Sequence, residues 1–342
     1  MRKVLSVVSL TVTLGLVSVA QENAMHSTRN AAEQRGTLNE VSPLISFLRK
    51  PAVGANANLQ TNLQANLQPA AAAAHVYKFA TADFPGASFT QAVAASNGVV
   101  VGNYSFAPET PLIPFVLKGG VYKTLTVPNA ASARVFSVNS LGQIVGDYID
   151  FSGIRHGFVN TGTAFATVDF PGSVDTTVTD INAAGDMVGT WGDESISAGG
   201  GAGVGKQHGF LFQGGTFTSI DFPGADLSIA FGINASDEVV GVFQTNVGGN
   251  RGFILQGGVF TLLNAPVATA TTLFGVNDGG DISGSYLDAA GTEHGLLFSK
   301  GIFNTVTVTG AAATALTHIP SKGAFAVNFT DQSGEGHGAT GN

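Results

Sequence analysis

A repeating unit of 43 residues runs from about Val76 to the C-terminus, and it constrains the fold more than any other feature. An aromatic column at Phe79, Tyr122, Phe165, Phe217, Phe260 and Phe303 is spaced by 43, 43, 52, 43 and 43 residues. A proline column at Pro85, Pro128, Pro171, Pro223 and Pro266 keeps the same intervals, with Thr309 in the sixth place. Asp-Phe-Pro-Gly is intact in three copies, starting at Asp83, Asp169 and Asp221. An asparagine column (Asn139, Asn182, Asn234, Asn277) opens a turn that leads into a Val-Gly or Ser-Gly run. A His-Gly column follows at His156, His208, His294 and His337, with Arg251 in the fourth copy. The one long interval is explained by a nine-residue Gly-rich insertion, Ser197 to Gly205, in the third copy.

Each copy divides into four short β-type runs, clearest in the fourth as Phe217 to Phe222, Ile229 to Asn234, Glu238 to Phe243 and Gly252 to Gln256. Gly, Asn, Asp and Pro separate them, as expected between strands. Pairs such as Gly214-Gly215 and Gly257-Gly258 suit the positive φ angles of a two-residue hairpin. A unit this small buries too little surface to fold alone, so the copies must stack. Four strands per copy, six times over, predict an all-β six-bladed β-propeller of four-stranded blades. The last copy ends after its third run, so the run around Phe79 is expected to complete the last blade beside His337 and close the fold. An open solenoid would need capping units at its ends, and none is visible.

The domain boundaries expected are a signal peptide at 1–20, a low-complexity Ala/Asn/Gln-rich tether at 21–75 and the repeat region at 76–342. The repeats fall at about 76–120, 121–163, 164–215, 216–258, 259–301 and 302–342. Arg2 and Lys3 precede the apolar run Val4 to Val19, and Ser18-Val19-Ala20 puts small residues at a cleavage site. That run is shorter than the roughly 20 residues a spanning helix needs. Once the signal is removed, no membrane span is expected, and the protein is expected to be secreted, extracellular or periplasmic.

Charge and cysteine content exclude several function classes. From Val76 onward nine basic residues face 20 acidic ones, which leaves no basic footprint for nucleic acid. With Cys 0, disulfides, cysteine-based metal sites and thiol chemistry are excluded.

The pattern resembles the extracellular HAF-repeat family, whose His-Ala-Phe motif stands here as His156-Gly157-Phe158, His208-Gly209-Phe210 and His294-Gly295-Leu296. Gly232-Ile233-Asn234 and Val145-Gly146-Asp147-Tyr148 match as well. The resemblance covers residues 76–342 and departs from the motif in having Gly for Ala. It implies secretion and a propeller-like array, and brings no assigned reaction or catalytic residues.

Functional residues in a repeat protein should break the repeat. Two positions before the asparagine column the copies read Ala94, Ser137, Asp180, Gly232, Gly275 and His318. Asp180 and His318 are the outliers, and a six-fold arrangement would set them opposite one another. They are ligand-binding candidates, together with Ser137, Trp191 and Asp193, the last two beside the insertion. The repeated histidines read as structural, one per blade and far apart, and Asp-x-x-Gly at Asp150, Asp288 and Asp331 reads as turn chemistry. No catalytic residue, metal site or cofactor is assigned, since nucleophile-elbow, phosphate-loop and zinc-helix motifs are all missing. The function expected is a binding or scaffolding module, a monomer taking a carbohydrate or protein ligand through one face of the ring. The alternative is a hydrolase or lyase with its site at the mouth of a central channel.

Overall fold

The computed structural model describes residues 78–107, 110–193, 206–245 and 249–341. The expected signal peptide, the tether and the insertion Ser197 to Gly205 lie outside the described residues.

Twenty-four strands follow one another in chain order. β1 is Phe79–Thr81. The first unit then gives β2 (Phe89–Ser96), β3 (Val99–Ser105), β4 (Ile113–Lys118) and β5 (Val121–Thr124). The second gives β6 (Ala130–Val138), β7 (Ile144–Asp150), β8 (Arg155–Asn160) and β9 (Phe165–Val168). The third gives β10 (Asp175–Ile181), β11 (Met187–Gly192), β12 (Gln207–Gln213) and β13 (Thr216–Ile220). The fourth gives β14 (Leu227–Ile233), β15 (Val239–Gln244), β16 (Arg251–Gln256) and β17 (Val259–Leu262). The fifth gives β18 (Ala270–Val276), β19 (Ile282–Leu287), β20 (Glu293–Ser299) and β21 (Ile302–Val306). The sixth gives β22 (Ala313–His318), β23 (Phe325–Thr330) and β24 (Gly336–Gly341). No helix among the described residues is long and apolar enough to cross a membrane.

These strands form six four-stranded antiparallel units, the arrangement of a six-bladed propeller-like fold. The hairpins between third and fourth strands use the paired positive φ that their sequence requires, as at Gly257 (58°) and Gly258 (79°).

The expectation of a fold closed by its N-terminal strand is corrected by this topology. No sheet is closed: every hydrogen-bonded path has two ends, and β1 is one of them, at the edge of the order β1-β24-β23-β22. There Phe79 pairs with Gly341 and Thr81 with Ala339. The physical reason is that neighbouring units meet through faces and side chains, so no continuous ladder runs between them. One parallel bridge, Gln207 to Leu227, is the exception, and it merges the third and fourth units into an eight-stranded sheet.

Face packing therefore carries the fold. Five of the six apolar clusters among the described residues straddle two units: Val101 packs with Val135 and Phe158, Val145 with Val178 and Phe210, Val188 with Ala230 and Phe253, and Val240 with Leu273 and Leu296; the sixth, Leu227, Ile229 and Val242, lies within the fourth unit. Within a unit, the glycine of the Val-Gly run lies beneath the phenylalanine of the third strand. A Cβ at Gly189 would stand 2.0 Å from the Thr177 carbonyl oxygen and 2.7 Å from the Phe210 ring. The motif is therefore a steric pair: no side chain below, a large ring above. In the sixth unit the pair is exchanged. Val327 stands opposite Ala339, so the bulk moves to the second strand and leaves the third.

Polar groups also bind the units together. Asp147, 1% exposed, is held by Arg134 within its own sheet, by Arg155 at 2.7 Å, and by the Thr177 hydroxyl of the next unit at 3.0 Å. The two guanidinium groups hold its carboxyl below the usual carboxylate range, against the burial that would raise it.

The exchanged pair gives a direct test of the packing account. Ala339→Phe alone should cost about 1–3 kcal/mol through overpacking against Val327. Adding Val327→Gly should recover a large part of that loss, read as the coupling energy of a double-mutant cycle in urea unfolding. Strict additivity of the two changes would contradict the steric pairing.

Candidate functional site

Every first strand carries a β-bulge at the same place. The register shifts between Ala92 and Ala94, Val135 and Ser137, Val178 and Asp180, Ala230 and Gly232, Leu273 and Gly275, and Leu316 and His318. A bulge bends its strand and re-aims the side chain that follows it. The residue after each bulge is the column Ala94, Ser137, Asp180, Gly232, Gly275 and His318. One irregularity thus positions all six.

The column members are neighbours. The Ser137 hydroxyl donates to Asp180 Oδ1 at 2.5 Å, and the amide of Ile233 in the next unit donates to Asp180 Oδ2 at 2.9 Å. The Ile181 amide adds a third bond, to Oδ1 at 2.8 Å. Beyond Asp180 come the two glycines, and they are required there. A Cβ at Gly232 would lie 2.7 Å from Gly275 Cα, and one at Gly275 would lie 2.9 Å from Ser283 Oγ. With no side chain on either, the first strands of the fourth, fifth and sixth units approach one another closely between Asp180 and His318.

A cavity of about 270 Å³ occupies this end of the six first strands. Asp180 and His318 both line it, as do Asp278, Ser321 and Lys322 at its rim. His318 is partly exposed to the cavity, but its Nδ1 is buried and makes no hydrogen bond. Burial pushes the imidazole below its ordinary value, and the Asp180 carboxylate opposes that shift. The ring is therefore neutral around neutral pH and lies within the field of a buried carboxylate.

The asparagine column forms the wall. The Asn139 side-chain amide donates to the Asn182 carbonyl at 2.9 Å, Asn182 to the Asn234 carbonyl at 3.2 Å, and Asn234 to the Asn277 carbonyl at 3.1 Å. Each Oδ1 accepts two amides of its own turn, as Asn182 does from Ala184 and Asp186. In the first unit Asn97 takes over, donating to the Ser140 carbonyl at 2.8 Å. These amides are saturated by structural bonds, so little of their hydrogen-bonding capacity remains for a ligand.

The other sequence candidates are elsewhere. Trp191 pairs with His208 across the β11–β12 ladder, and its indole is stacked between Phe170 at 4.1 Å and His208 at 4.4 Å. Both ring faces are covered. Asp193 lies near the same histidine, 3.8 Å from Nε2. Neither residue lines the cavity, so Ser137, Asp180 and His318 are brought together and Trp191 and Asp193 form a separate group.

That second group belongs to a repeated clasp at the opposite ends of the strands. His156 Nδ1 meets Asp169 at 2.8 Å and His208 Nδ1 meets Asp221 at 2.6 Å, each aspartate opening the following unit. His337 Nδ1 meets Asp83, from the far end of the chain, at 3.3 Å. The ligating atoms of Asp331, Glu335 and His337 lie within 4.8 Å of one another, which makes this trio the group among the described residues that could hold a metal ion. They are exposed or partly exposed side chains at a turn, with nothing further at the site to mark an ion.

No protein-family model and no curated protein matches the chain. Solved structures similar to it include a catalytically inactive variant of virginiamycin B lyase from Staphylococcus aureus with quinupristin (13% identity, 78% of this chain and 99% of that chain, TM-score 0.43). The β-propeller domain of the Trilobed protease from Pyrococcus furiosus is similar at 7% identity, over 75% of this chain and 94% of that one, with a TM-score of 0.45. Aleuria aurantia lectin is similar at 10% identity, over 74% and 92%, with a TM-score of 0.46. Likenesses this distant carry nothing about chemistry to this chain.

Asp331 gives a pH test of the clasp turn. Its carboxyl is lowered to about 2, first by the Ser333 hydroxyl and then by the Glu335 amide. A depressed carboxylate stabilises the fold above its unfolded value of 3.8, and that contribution is lost as pH falls through about 2. In Ser333→Ala the midpoint should climb toward 3.8, measured by carboxyl-carbon NMR titration. An unchanged midpoint would show that the hydroxyl is not the cause.

Proposed function

We propose that the cavity at the ends of the first strands is the active site of a hydrolase or lyase in which His318 is the general base. The observation that carries this reading is the state of His318: a neutral imidazole facing a cavity, with a buried Nδ1 that has no hydrogen-bond partner. Of the buried side-chain atoms without a partner among the described residues, Nδ1 of His318 is the one that belongs to a residue lining the cavity, and catalysis is a reason for such an atom to persist there. A base must be unprotonated at working pH, and the desolvation around His318 provides that.

The roles follow from the bonding. At its Nε2, His318 takes a proton from the water that attacks the scissile bond in hydrolysis and returns it to the leaving group; in elimination it takes the proton of a carbon acid, whose electron pair forms the double bond as the bond to the leaving group breaks. The imidazolium that results gains from the Asp180 side chain, which three hydrogen bonds hold in one orientation. Ser137 is a positioning residue, because its hydroxyl donates to Asp180. No covalent step is assigned to it.

The chain's residues before the described region support export, through Arg2, Lys3 and the apolar run Val4 to Val19. The HAF-type motifs support the same location. An exported enzyme of this kind would act on an extracellular or periplasmic substrate.

A panel of chromogenic esters and glycosides, with and without an amine, tests hydrolysis, and β-substituted carbonyl compounds test elimination by the ultraviolet absorbance of the new conjugated double bond. His318→Gln should lower kcat/KM by about 10²–10⁴-fold while leaving the melting temperature close to wild type. Turnover that survives the substitution at full rate would contradict the reading. Ligand binding without turnover, unchanged in His318→Gln, would favour the carbohydrate- or protein-binding module instead.

A further inference from the structure

Resting on the reading of this cavity as the active site, we infer that its substrate is a small organic cation, recognised by a protonated amine. The inference comes from the charges at the cavity and from which of their atoms are already engaged.

Asp180 and Asp278 line the cavity, against one cation, Lys322. His318 adds no positive charge, because its ring is neutral. Behind the rim stand Asp186, Glu238 and Asp281, each accepting from the asparagine that opens its turn, and Asp237, which accepts from Gln213. The cavity is a narrow space inside this acidic border, and such a space concentrates field of one sign. A positive ligand is drawn in and a carboxylate is repelled.

The bonding separates an organic cation from a metal ion. Both oxygens of Asp180 are occupied, Oδ1 by Ser137 and Ile181 and Oδ2 by Ile233. Both oxygens of Asp278 are occupied as well, Oδ1 by the Ala235 amide and Oδ2 by the Ser321 hydroxyl. Each oxygen keeps at most one free lone pair, whereas metal coordination needs several oxygen ligands converging on one point, and among the described residues the trio that converges so is Asp331, Glu335 and His337, outside the cavity. These carboxylates act through charge at a distance, which suits an ammonium group with its own hydrogen-bond donors.

Size narrows the class. At about 30 Å³ per water, the cavity holds roughly nine waters, room for one amino sugar or one basic side chain.

Three isosteric probes test this by NMR titration of the protein: butylammonium, butanol and butyrate. Butylammonium, cationic at neutral pH, should bind roughly tenfold more tightly than butanol, and butyrate most weakly. Raising the salt concentration should narrow the gap. Asp180→Asn should bring butylammonium and butanol within about twofold. If that variant fails to fold, the salt dependence of the wild-type protein decides. His318→Gln should keep the preference while losing turnover, so the two readings fail separately. Equal binding of the three probes, a preference for butyrate, or a preference indifferent to salt would overturn the inference.

Discussion

A four-stranded sheet of this length cannot keep both faces dry by itself, and the rest of the structure depends on how each unit covers its neighbour. Five of the six apolar clusters among the described residues lie between units rather than within one, so Val145 is as much part of the third unit's core as of the second's. The Gly-under-Phe pairing makes this possible. It lets a large ring lie flat within its own sheet while the adjacent valine projects into the next one. The asparagine belt and the His-Asp clasps add polar links at the two ends of the same interfaces.

Repetition also explains how a site can arise without a dedicated loop. Because all six first strands bulge at the same position, six residues are delivered to one place, and changing single residues there changes the chemistry without altering the scaffold. Two glycines let neighbouring strands approach, one serine orients, one carboxylate supplies charge, and one histidine supplies a base. The scaffold's regularity is therefore the source of the site's geometry, and the repeat's exceptions are the source of its chemistry.

The sequence made most of this legible, because a period of 43 residues exposes both the rule and its exceptions. In the fourth copy the strands β13 to β16 lie within two residues of the runs read from Gly, Pro and aromatic spacing. Asp180 and His318 stood out by breaking their column. Other features were hidden for physical reasons. The complementary ends do pair edge to edge, Phe79 with Gly341, but the expected closure fails because sequence does not say how neighbouring units meet, and here they meet mostly by faces. Trp191 stood out by its rarity, whereas both its faces turn out to be covered. Lys322, Asp278 and Ser321 give no signal of their own. Their rim position depends on the turn after each first strand, and comparing those turns across copies was the one available clue.

The central claim is that His318 is a neutral base held in a desolvated cavity, and its own titration measures that most directly. Carbon-detected NMR of the imidazole across the pH range should place its midpoint below the ordinary 6.5, with the ring uncharged at neutral pH. A midpoint at or above 6.5 would mean that the ring is solvated or paired as a cation, and the account of the cavity as a base-catalysed site would be wrong.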